Sequence, residues 1–286
     1  MKRETAMGDL MQGKRGLVMG VANHNSIAWG AAKALSDQGA EVALTYQGDA
    51  FGRRVKPLAE EIGSKLVIPC DVEDTASLDA VFKTLKDEWG SIDFVLHAIA
   101  FSDKSELKGL YANTTRENFT RTMVISCFSF TEVARRAAEI MGNGGSMVTM
   151  TYGGSVRVMP NYNVMGVAKA ALEASVRYLA ADFGPRNIRV NAVSAGPVRT
   201  LAGAGVSDAR LMFNYQRRNA PMRRNTTIEE VGGAVLYLMS ELANGVTGEI
   251  HYVDSGYNVM SMPALDELKA QEQRKAMVEG EDDAES

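Results

Sequence analysis

A tyrosine and a lysine seven residues apart form the clearest chemical pair in the sequence, Tyr162 and Lys169 in YNVMGVAK. In an α-helix, seven residues turn through about 700°, about 20° short of two turns, so both side chains would share one helix face. An ammonium beside a phenol favours the phenolate and lowers its pKa, and the same cation can hold ribose hydroxyls. The pair therefore predicts proton or oxyanion chemistry next to a nucleotide sugar.

Two nearby segments point to the same site. A second phenol, Tyr152, precedes the pair in a Tyr-Gly-Gly loop, and Gly196 and Pro197 lie in AVSAGPVRT. Each segment directly follows a predicted strand, so all of them would meet at the carboxyl edge of a parallel sheet, where ligands bind. A lone Tyr and Lys on one helix face are usually solvated, and these neighbours favour a catalytic site instead.

A phosphate-binding loop is predicted after the first strand. The segment GVANHNSIAWG, from Gly20 to Gly30, leads directly into a helix, so backbone amides and the positive helix end would face a pyrophosphate. Gly20 permits a tight turn, Ser26 offers a hydroxyl, and Gly30 would let the helix pack closely on the sheet. The strict GxGxxG pattern does not occur in this segment.

The end of the second strand bears on the choice of cofactor. NAD-binding folds usually have an Asp or Glu there, whereas this chain has Gln47, followed by Arg53 and Arg54. A neutral amide supplies no positive charge for a 2′-phosphate, so Gln47 favours NADH. The two arginines leave NADPH open, because either could turn toward such a phosphate.

The elements that must position these residues alternate along the whole chain. Continuously apolar runs predict strands that are buried on both faces, and amphipathic stretches predict helices between them. Strands are predicted at 15–21, 41–46, 65–69, 92–98, 146–151, 188–193 and 249–253, and helices at 26–38, 50–62, 75–88, 116–141, 162–183 and 228–242. We therefore expect one α/β domain over residues 13–262, a doubly wound, Rossmann-type fold with a seven-stranded parallel sheet.

Composition sets the remaining expectations. The chain has 286 residues, 45% of them hydrophobic, and a net charge of −4, without the basic cluster that nucleic acids or membrane surfaces need. Cys70 and Cys127 show no disulfide or metal-ligand spacing, so we expect a cytosolic protein without a structural metal. Residues 1–12 are expected to be a flexible N-terminus. Residues 263–286 are expected to be a mobile acidic tail, because Ala264 to Ser286 contains eight acidic and three basic residues.

The connection from Ala195 to Ala220 is unusually long for a compact domain, which favours an active-site lid. Its glycines permit rearrangement, and its apolar residues need a surface to cover. These apolar residues are Leu201, Val206, Leu211, Met212 and Phe213. Met159, Met165 and Met212 would line an acyl pocket or fill the core, and both interpretations stay open. His24, His97 and His251 are isolated and are interpreted as structural or surface residues, with His97, at a strand end near the cofactor, as the exception that stays open.

Several segments together resemble one family. GVANHNSIAWG, TYQGD, CDV, Tyr152 with PNYNVMGVAKA, and NAVSAGPVRTLA match the order and positions of bacterial NADH-dependent enoyl-acyl carrier protein reductases, a divergent branch of the short-chain dehydrogenase/reductase superfamily. The resemblance runs from about Gly13 to Met260. It is specific, because ordinary members of the superfamily carry the lysine four residues after the tyrosine, and position 166 here is Gly. Ala100 departs from the family, which more often has Gly there.

The resemblance implies hydride transfer from NADH to the β-carbon of a trans-2-enoyl thioester on an acyl carrier protein, in fatty-acid biosynthesis, by a cytoplasmic homotetramer. Tyr162 would hydrogen-bond the substrate carbonyl, and Tyr152 would line the acyl site. The implied cofactor contacts are Gly20, Ser26 and Ile27 with the pyrophosphate, Gln47 with the adenosine ribose, Asp71 and Val72 with the adenine, Ala98 with the middle of the cofactor, Lys169 with the nicotinamide ribose, and Val198 with the carboxamide.

The wider spacing of the tyrosine and lysine has a physical rationale. In ketone reduction the hydride adds to the carbonyl carbon itself, whereas in enoyl thioester reduction it adds to the β-carbon, so the carbonyl oxygen lies farther from the hydride acceptor. Moving the tyrosine three residues earlier shifts it by about 4.5 Å along a helix, near the displacement that this oxygen requires. An NAD(P)-dependent ketone or alcohol oxidoreductase remains an alternative, although it would need a lysine at position 166. A non-catalytic dinucleotide sensor is the other alternative. Tyr162, Tyr152 and water remain candidate donors of the final proton.

Overall fold

A seven-stranded parallel sheet forms the centre of the computed structural model, which describes residues 8–200, 208–270 and 272–273. Its strands are β1 (Arg15–Met19), β2 (Glu41–Tyr46), β3 (Val67–Pro69), β4 (Phe94–His97), β5 (Gly145–Thr151), β6 (Ile188–Ala195) and β7 (Ile250–Val253). They lie in the order β3-β2-β1-β4-β5-β6-β7, and every neighbouring pair is parallel. The predicted doubly wound fold is confirmed, with its change of direction between β1 and β4.

Helices cover both faces of the sheet. They are α1 (Ile27–Ser36), α2 (Gly48–Glu61), α3 (Thr75–Trp89), α4 (Arg116–Met123), α5 (Ser129–Ile140), α6 (Asn163–Phe183), α7 (Ala209–Asn219) and α8 (Ile228–Met239). Thr227 and Glu230 form a reciprocal capping box at the start of α8. The single helix predicted over 116–141 is instead α4, a π-helical turn (Val124–Phe128) and α5. Helix α7 lies in the segment that the sequence analysis interpreted as a loop.

Alternation along the strands divides the core into two layers. In β1, Leu17 and Met19 belong to the layer with α5 and α6, and Val18 belongs to the layer with α1 and α8. Both faces of each central strand are therefore shielded from water. This double burial explains why the strand sequences are continuously apolar instead of alternating.

Helices α1 and α8 approach each other through two glycines. A Cβ at Gly30 would lie 2.5 Å from the backbone oxygen of Ile228, and one at Gly232 would lie 2.5 Å from the backbone oxygen of Gly30. The expectation that Gly30 allows α1 to pack on the sheet is wrong, because its missing side chain makes room for α8.

The start of the acidic C-terminal segment contacts α7 and the loop after it. The Ala264 N–H donates to Asn219 Oδ1 at 2.7 Å, Glu267 pairs with Arg218 at 3.1 Å, and Asp266 pairs with Arg223 at 3.1 Å. Residues 1–7, 271 and 274–286 lie outside the described residues, so the mobility of both ends stays a prediction. None of the helices in the described ranges is long and apolar enough to cross a membrane.

Candidate functional site

The carboxyl edge of the sheet gathers the residues that the sequence analysis singled out. Gly20 follows β1, Gln47 follows β2, Asp71 and Val72 lie just beyond β3, Ala98 follows β4, Tyr152 follows β5, and Val198 lies just beyond β6. Because parallel strands end at the same edge, positions far apart in sequence meet around the crevice outside the carboxyl ends of β1 and β4.

The loop from β1 to α1 depends on a glycine. Gly20 has a φ of +104°, and a Cβ there would lie 2.2 Å from the backbone oxygen of Ala98. The Ala98 N–H donates to the Met19 carbonyl at 3.1 Å, which ties the end of β4 to the end of β1. Any side chain at Gly20 would force these two strand ends apart.

Ser26 organises the same loop. Its hydroxyl accepts hydrogen bonds from the backbone N–H groups of Ala22 at 3.0 Å and Asn23 at 3.1 Å. Among the described residues, its side chain makes no capping bond to α1, and the first turn of α1, which begins at Ile27, has no acidic residue. The positive end of α1 therefore offers its dipole to an external anion such as a pyrophosphate.

The adenosine side of the edge is more open. Gln47 is exposed immediately before α2, and Arg53 and Arg54 are exposed on that helix. The Asp71 N–H donates to Ser77 Oγ, and its carboxylate accepts from the Glu73 N–H, both at 2.9 Å. These bonds fix the turn after β3, where a nucleotide base would have one wall.

The loop after β4 is held by the π-helical turn. Ser126 Oγ donates to the Phe101 carbonyl at 2.9 Å and accepts from the Phe101 N–H at 3.0 Å. Ala100 is exposed just before this clamp. Ser126 could not be found from the sequence, because no helical pattern shows where an extra residue will be inserted into a turn.

Two tyrosines form the centre of the site. The rings of Tyr152 and Tyr162 pack edge to face, with centroids 5.1 Å apart and an interplanar angle of 70°. Tyr162 directly precedes α6, which begins at Asn163. The predicted start at residue 162 is thus one residue early, and Tyr162 is the N-cap residue of the helix that carries Lys169.

Two glycines make room for Tyr162 and its helix. A Cβ at Gly154 would lie 2.5 Å from Tyr162 Cδ1, and a Cβ at Gly166 would lie 2.8 Å from the backbone oxygen of Gly154. The Tyr-Gly-Gly loop thus packs directly on the first turn of α6. Position 166 has no space for a side chain in this arrangement, and the sequence analysis had used it only to rule out a lysine.

Both phenols are held in the protonated form. Burial raises the pKa of Tyr162 well above its usual range, and the nearby Tyr152 and Glu173 raise it further. Burial, with a smaller effect of Tyr257, raises the pKa of Tyr152 to about 12. The expectation that Lys169 lowers the pKa of Tyr162 is wrong, because desolvation dominates and the neighbours that act on this phenol favour its neutral form.

Lys169 is buried on α6 and bonded to the sheet. Its Nζ donates to the backbone oxygen of Met150 at 2.8 Å. Burial lowers its pKa to about 8, while Cys127 and Glu173 act in the opposite direction. Glu173 is itself buried and accepts from Thr151 Oγ1 at 2.7 Å. The sequence analysis missed Glu173, although its spacing of one turn from Lys169 was a usable signal.

His97 is a structural residue. It is fully buried, with Nδ1 3.2 Å from Thr149 Oγ1 and Nε2 2.9 Å from Ser129 Oγ. Burial, followed by the charge of Lys169, lowers its pKa to about 3, so the imidazole is neutral. Within the described ranges, no group of His, Cys, Asp and Glu could hold a metal ion.

Apolar and aromatic groups border the other side of the tyrosines. A cavity of about 80 Å³ lies between Tyr152, Met159, Gln216 and Tyr257. Met165 is buried in a small cluster with Leu107 and Val164, against which Tyr162 packs. Met159 therefore borders open space, and Met165 fills the core beneath the phenol.

The predicted lid is only partly described. Leu201 and Val206 lie outside the described residues. On α7, Leu211 is 67% exposed, whereas Phe213 is half-buried with the Arg199 guanidinium 4.8 Å from its ring centre. Apolar surface of this segment is therefore still open beside the site.

Comparison with known proteins gives a consistent result. A family model described as Enoyl-(Acyl carrier protein) reductase matches residues 20–258. An enoyl-[acyl-carrier-protein] reductase [NADH] of Rhizobium meliloti (strain 1021) is 70% identical over 263 residues, covering 92% of this chain and 98% of that protein.

Solved structures agree in fold. The enoyl-(acyl-carrier-protein) reductase of Anaplasma phagocytophilum in complex with NAD is 56% identical, with a TM-score of 0.87 over 91% of this chain and 98% of that chain. The enoyl-acyl carrier protein reductase of Bacillus cereus with NADP+ and indole naphthyridinone is 50% identical, with a TM-score of 0.87 over 89% of this chain and 100% of that chain.

Proposed function

Because the chain belongs to the enoyl-(acyl carrier protein) reductase family, we propose that its site transfers a hydride from NADH to the β-carbon of a trans-2-enoyl thioester on an acyl carrier protein. The reaction is a step of fatty-acid synthesis. The observation that carries this proposal is the protonated Tyr162 beside Tyr152, at the sheet edge that also presents Lys169.

The residues of the edge fit a dinucleotide. The uncapped positive end of α1 and the loop of Gly20, Ser26 and Ile27 suit a pyrophosphate. Farther along the edge, Gln47 would hold the adenosine ribose, Asp71 and Val72 the adenine, Ala98 the middle of the cofactor, Lys169 the nicotinamide ribose, and Val198 the carboxamide. NADH, when bound there, supplies the hydride.

Tyr162 is proposed to act as a hydrogen-bond donor. When hydride adds to the β-carbon of an enoyl thioester, negative charge develops on the thioester carbonyl oxygen. A phenol whose pKa is raised keeps its proton at neutral pH, so Tyr162 remains a hydrogen-bond donor to that oxygen. A preorganised donor of this kind typically contributes about 3 kcal/mol to the transition state.

Tyr152 is proposed to line the acyl site. Its ring packs against Tyr162, and it borders the small cavity together with Met159 and Tyr257. The raised pKa keeps this second phenol neutral as well, as an apolar acyl chain requires. Tyr152, Tyr162 and water remain the candidates for the group that protonates the α-carbon.

The two alternatives fit the site less well. A ketone or alcohol reductase of the same superfamily needs a lysine at position 166, where even a Cβ would lie 2.8 Å from the backbone oxygen of Gly154. A non-catalytic dinucleotide sensor has no need for two protonated phenols beside the nicotinamide end.

We further propose that the protein acts in the cytoplasm as a homotetramer. Cys70 and Cys127 are buried free thiols, which suits a reducing compartment. Phe128 and Leu242 are large apolar side chains that are more than half exposed, which leaves apolar surface for contacts between copies. Light scattering of the purified protein measures the number of subunits, and a monomer would contradict the proposal.

One assay tests the reaction. The protein is mixed with NADH and crotonyl thioester, and the absorbance of the reduced nicotinamide is followed, with parallel reactions containing NADPH or a β-ketoacyl thioester. We expect rapid loss of absorbance with NADH and the enoyl thioester only. Reduction of the β-ketoacyl thioester instead would favour the ketone reductase, and NADH binding without turnover would favour the sensor.

A further inference from the structure

Helix α6 is joined to the end of β5 by two buried side chains. Lys169 Nζ donates to the Met150 carbonyl at 2.8 Å, and Glu173 Oε1 accepts from Thr151 Oγ1 at 2.7 Å. Lys169 and Glu173 are each 5% exposed and lie one helical turn apart. The two bonds reach successive residues of the strand, and the next residue is Tyr152.

From this geometry we propose that Glu173 is a positioning residue of the active site, which fixes the strand end that carries Tyr152 and keeps Lys169 in its ammonium form. The first role acts through the hydroxyl of Thr151. The second acts through charge, because the carboxylate accepts its hydrogen bond from Thr151 and not from Lys169. The effect on cofactor binding rests on the proposed role of Lys169 toward the nicotinamide ribose.

The surroundings of Lys169 make this charge important. Cys127 faces it from the π-helical turn, His97 from β4 and Glu173 from α6. Burial raises the pKa of the Cys127 thiol, and His97 has a pKa of about 3, so neither carries charge near neutral pH. In the described part of the chain, Glu173 is the acidic side chain that offsets the burial of this ammonium.

Burial of an unpaired carboxylate would cost a large amount of desolvation free energy. A buried Glu173 therefore indicates that its charge or its hydrogen bond contributes to the site. An apolar residue of similar length would fill the same space without a desolvation penalty. The Thr151 hydroxyl donates a hydrogen bond to Glu173 and the positive charge of Lys169 favours its carboxylate, which in return links the strand end to the catalytic helix.

Charge and hydrogen bonding can be separated by substitution. Glu173→Gln keeps an oxygen that can accept from Thr151 but removes the charge, and Glu173→Met removes both while filling the same space. Thr151→Val removes the hydroxyl and leaves the carboxylate of Glu173. Thr151→Ser keeps a hydroxyl and serves as the conservative variant. Each full-length variant is compared with the wild-type protein.

The first measurement needs no cofactor. Lysine labelled with ¹³C at Cε is incorporated, the Lys169 signal is assigned by its absence in Lys169→Met, and its shift is followed from pH 6 to pH 10. We expect a wild-type midpoint near pH 8, and a midpoint about one unit lower in Glu173→Gln and in Glu173→Met. An unchanged midpoint in either folded variant would overturn the charge role.

The second measurement is NADH affinity by fluorescence titration at several pH values. A midpoint lower by about one unit predicts that Glu173→Gln binds NADH about fivefold more weakly at pH 8 and within about twofold of wild type at pH 6. A loss that is equal at every pH would indicate a structural role only and would overturn the proposal.

The third measurement tests the strand end. Thr151→Val should keep the Lys169 midpoint and the NADH affinity but lower kcat on crotonyl thioester severalfold, and Thr151→Ser should recover it. An unchanged kcat in Thr151→Val would overturn the positioning role. Failure of the wild-type protein to reduce crotonyl thioester would instead count against the proposed function, since the ¹³C titration does not depend on that reaction.

Discussion

The two halves of the carboxyl edge hold their functional groups in different ways. From β1 to β4, the edge is shaped by close backbone contacts, as at Gly20, where another strand end leaves no space for a Cβ. From β5 onward, it carries ionisable side chains, the partly buried Tyr162 and the buried Lys169 and Glu173. The first half offers shape and dipoles to a cofactor, and the second controls charge at the reacting atoms.

This difference predicts two kinds of sensitivity. The cofactor half should respond to added atoms, because its strand ends already touch. The substrate half should respond to removed polar atoms, because Lys169 depends on the Met150 carbonyl and Glu173 on the Thr151 hydroxyl. Substitutions that add an atom in the cofactor half, or remove a polar atom in the substrate half, test this division.

The largest effect is expected from Gly20→Ala. The new Cβ would lie 2.2 Å from the Ala98 oxygen at a φ of +104°, so the strand ends must separate. We expect the free energy of unfolding to fall by about 3 kcal/mol in urea titrations. Gly13→Ala is the matched control, since its φ is +75° and no described atom lies within 4 Å of the added Cβ, and it should cost about 1 kcal/mol. Equal losses would show that contact with β4 is unimportant.

Tyr162→Phe tests the substrate half. Removing the phenol hydroxyl should lower kcat on crotonyl thioester about 100-fold, because one oxyanion donor is lost. NADH affinity should stay within about twofold, since the ring and its contact with Tyr152 remain. Tyr178→Phe, an exposed position on the same helix, should leave both quantities unchanged. A Tyr162→Phe enzyme that turns over at the wild-type rate would remove this phenol from the mechanism.

Lys169→Ala should act on binding. A charged donor to ribose hydroxyls is worth about 1.5 kcal/mol, so we expect the Kd for NADH to rise about tenfold in fluorescence titrations. Lys33→Ala, which removes an exposed lysine paired with Asp37 on α1, should leave the Kd unchanged. Unaltered NADH affinity in Lys169→Ala would assign the nicotinamide ribose to some other group.

The cofactor half was also the more predictable half. Apolar runs located all seven strands, and parallel topology then required Gly20, Asp71 and Ala98 to meet. These inferences depend on local backbone rules, which act within a few residues of sequence. The sequence did not show that Gly30 faces α8, because that contact joins residues far apart in the chain, Gly30 with Ile228 and Gly232.

The substrate half exposed the limits of local rules. A periodic pattern cannot show how Tyr162 meets Gly154 and Gly166 at the start of α6, because these contacts depend on how the loop after β5 folds back on the helix. The pKa of Tyr162 was predicted in the wrong direction because burial is a property of the whole fold. Helix α7 was missed because its flanking glycines and proline indicate a loop.

His97, at the end of β4 where the two halves meet, predicts a pH dependence of stability. Its pKa falls from the ordinary 6.5 to about 3 in the folded chain, so below pH 6.5 the unfolded state takes up a proton that the folded state refuses. Stability should therefore decrease as pH falls, by about 1 kcal/mol between pH 6 and pH 5. His97→Gln should lose this component, and His24→Gln, at an exposed site, should keep it. The free energy of unfolding of each variant is measured by urea titration at several pH values. An equal dependence on pH in the two variants would contradict the buried, neutral imidazole.

The smallest effect concerns the segment from Ala195 to Ala220, whose amides we expect to gain protection only when cofactor and acyl ligand are both present. Leu211 is 67% exposed on α7, so apolar surface of this segment is available to cover an acyl chain and exclude water from the enolate. Amide hydrogen exchange between Leu201 and Tyr215 should slow about fivefold in the ternary complex relative to the apo and NADH-bound protein. Amides of β1 serve as the reference, because they are buried in every state. If protection from Leu201 to Tyr215 is the same in all three states, the segment is a fixed part of the domain and the lid hypothesis is wrong.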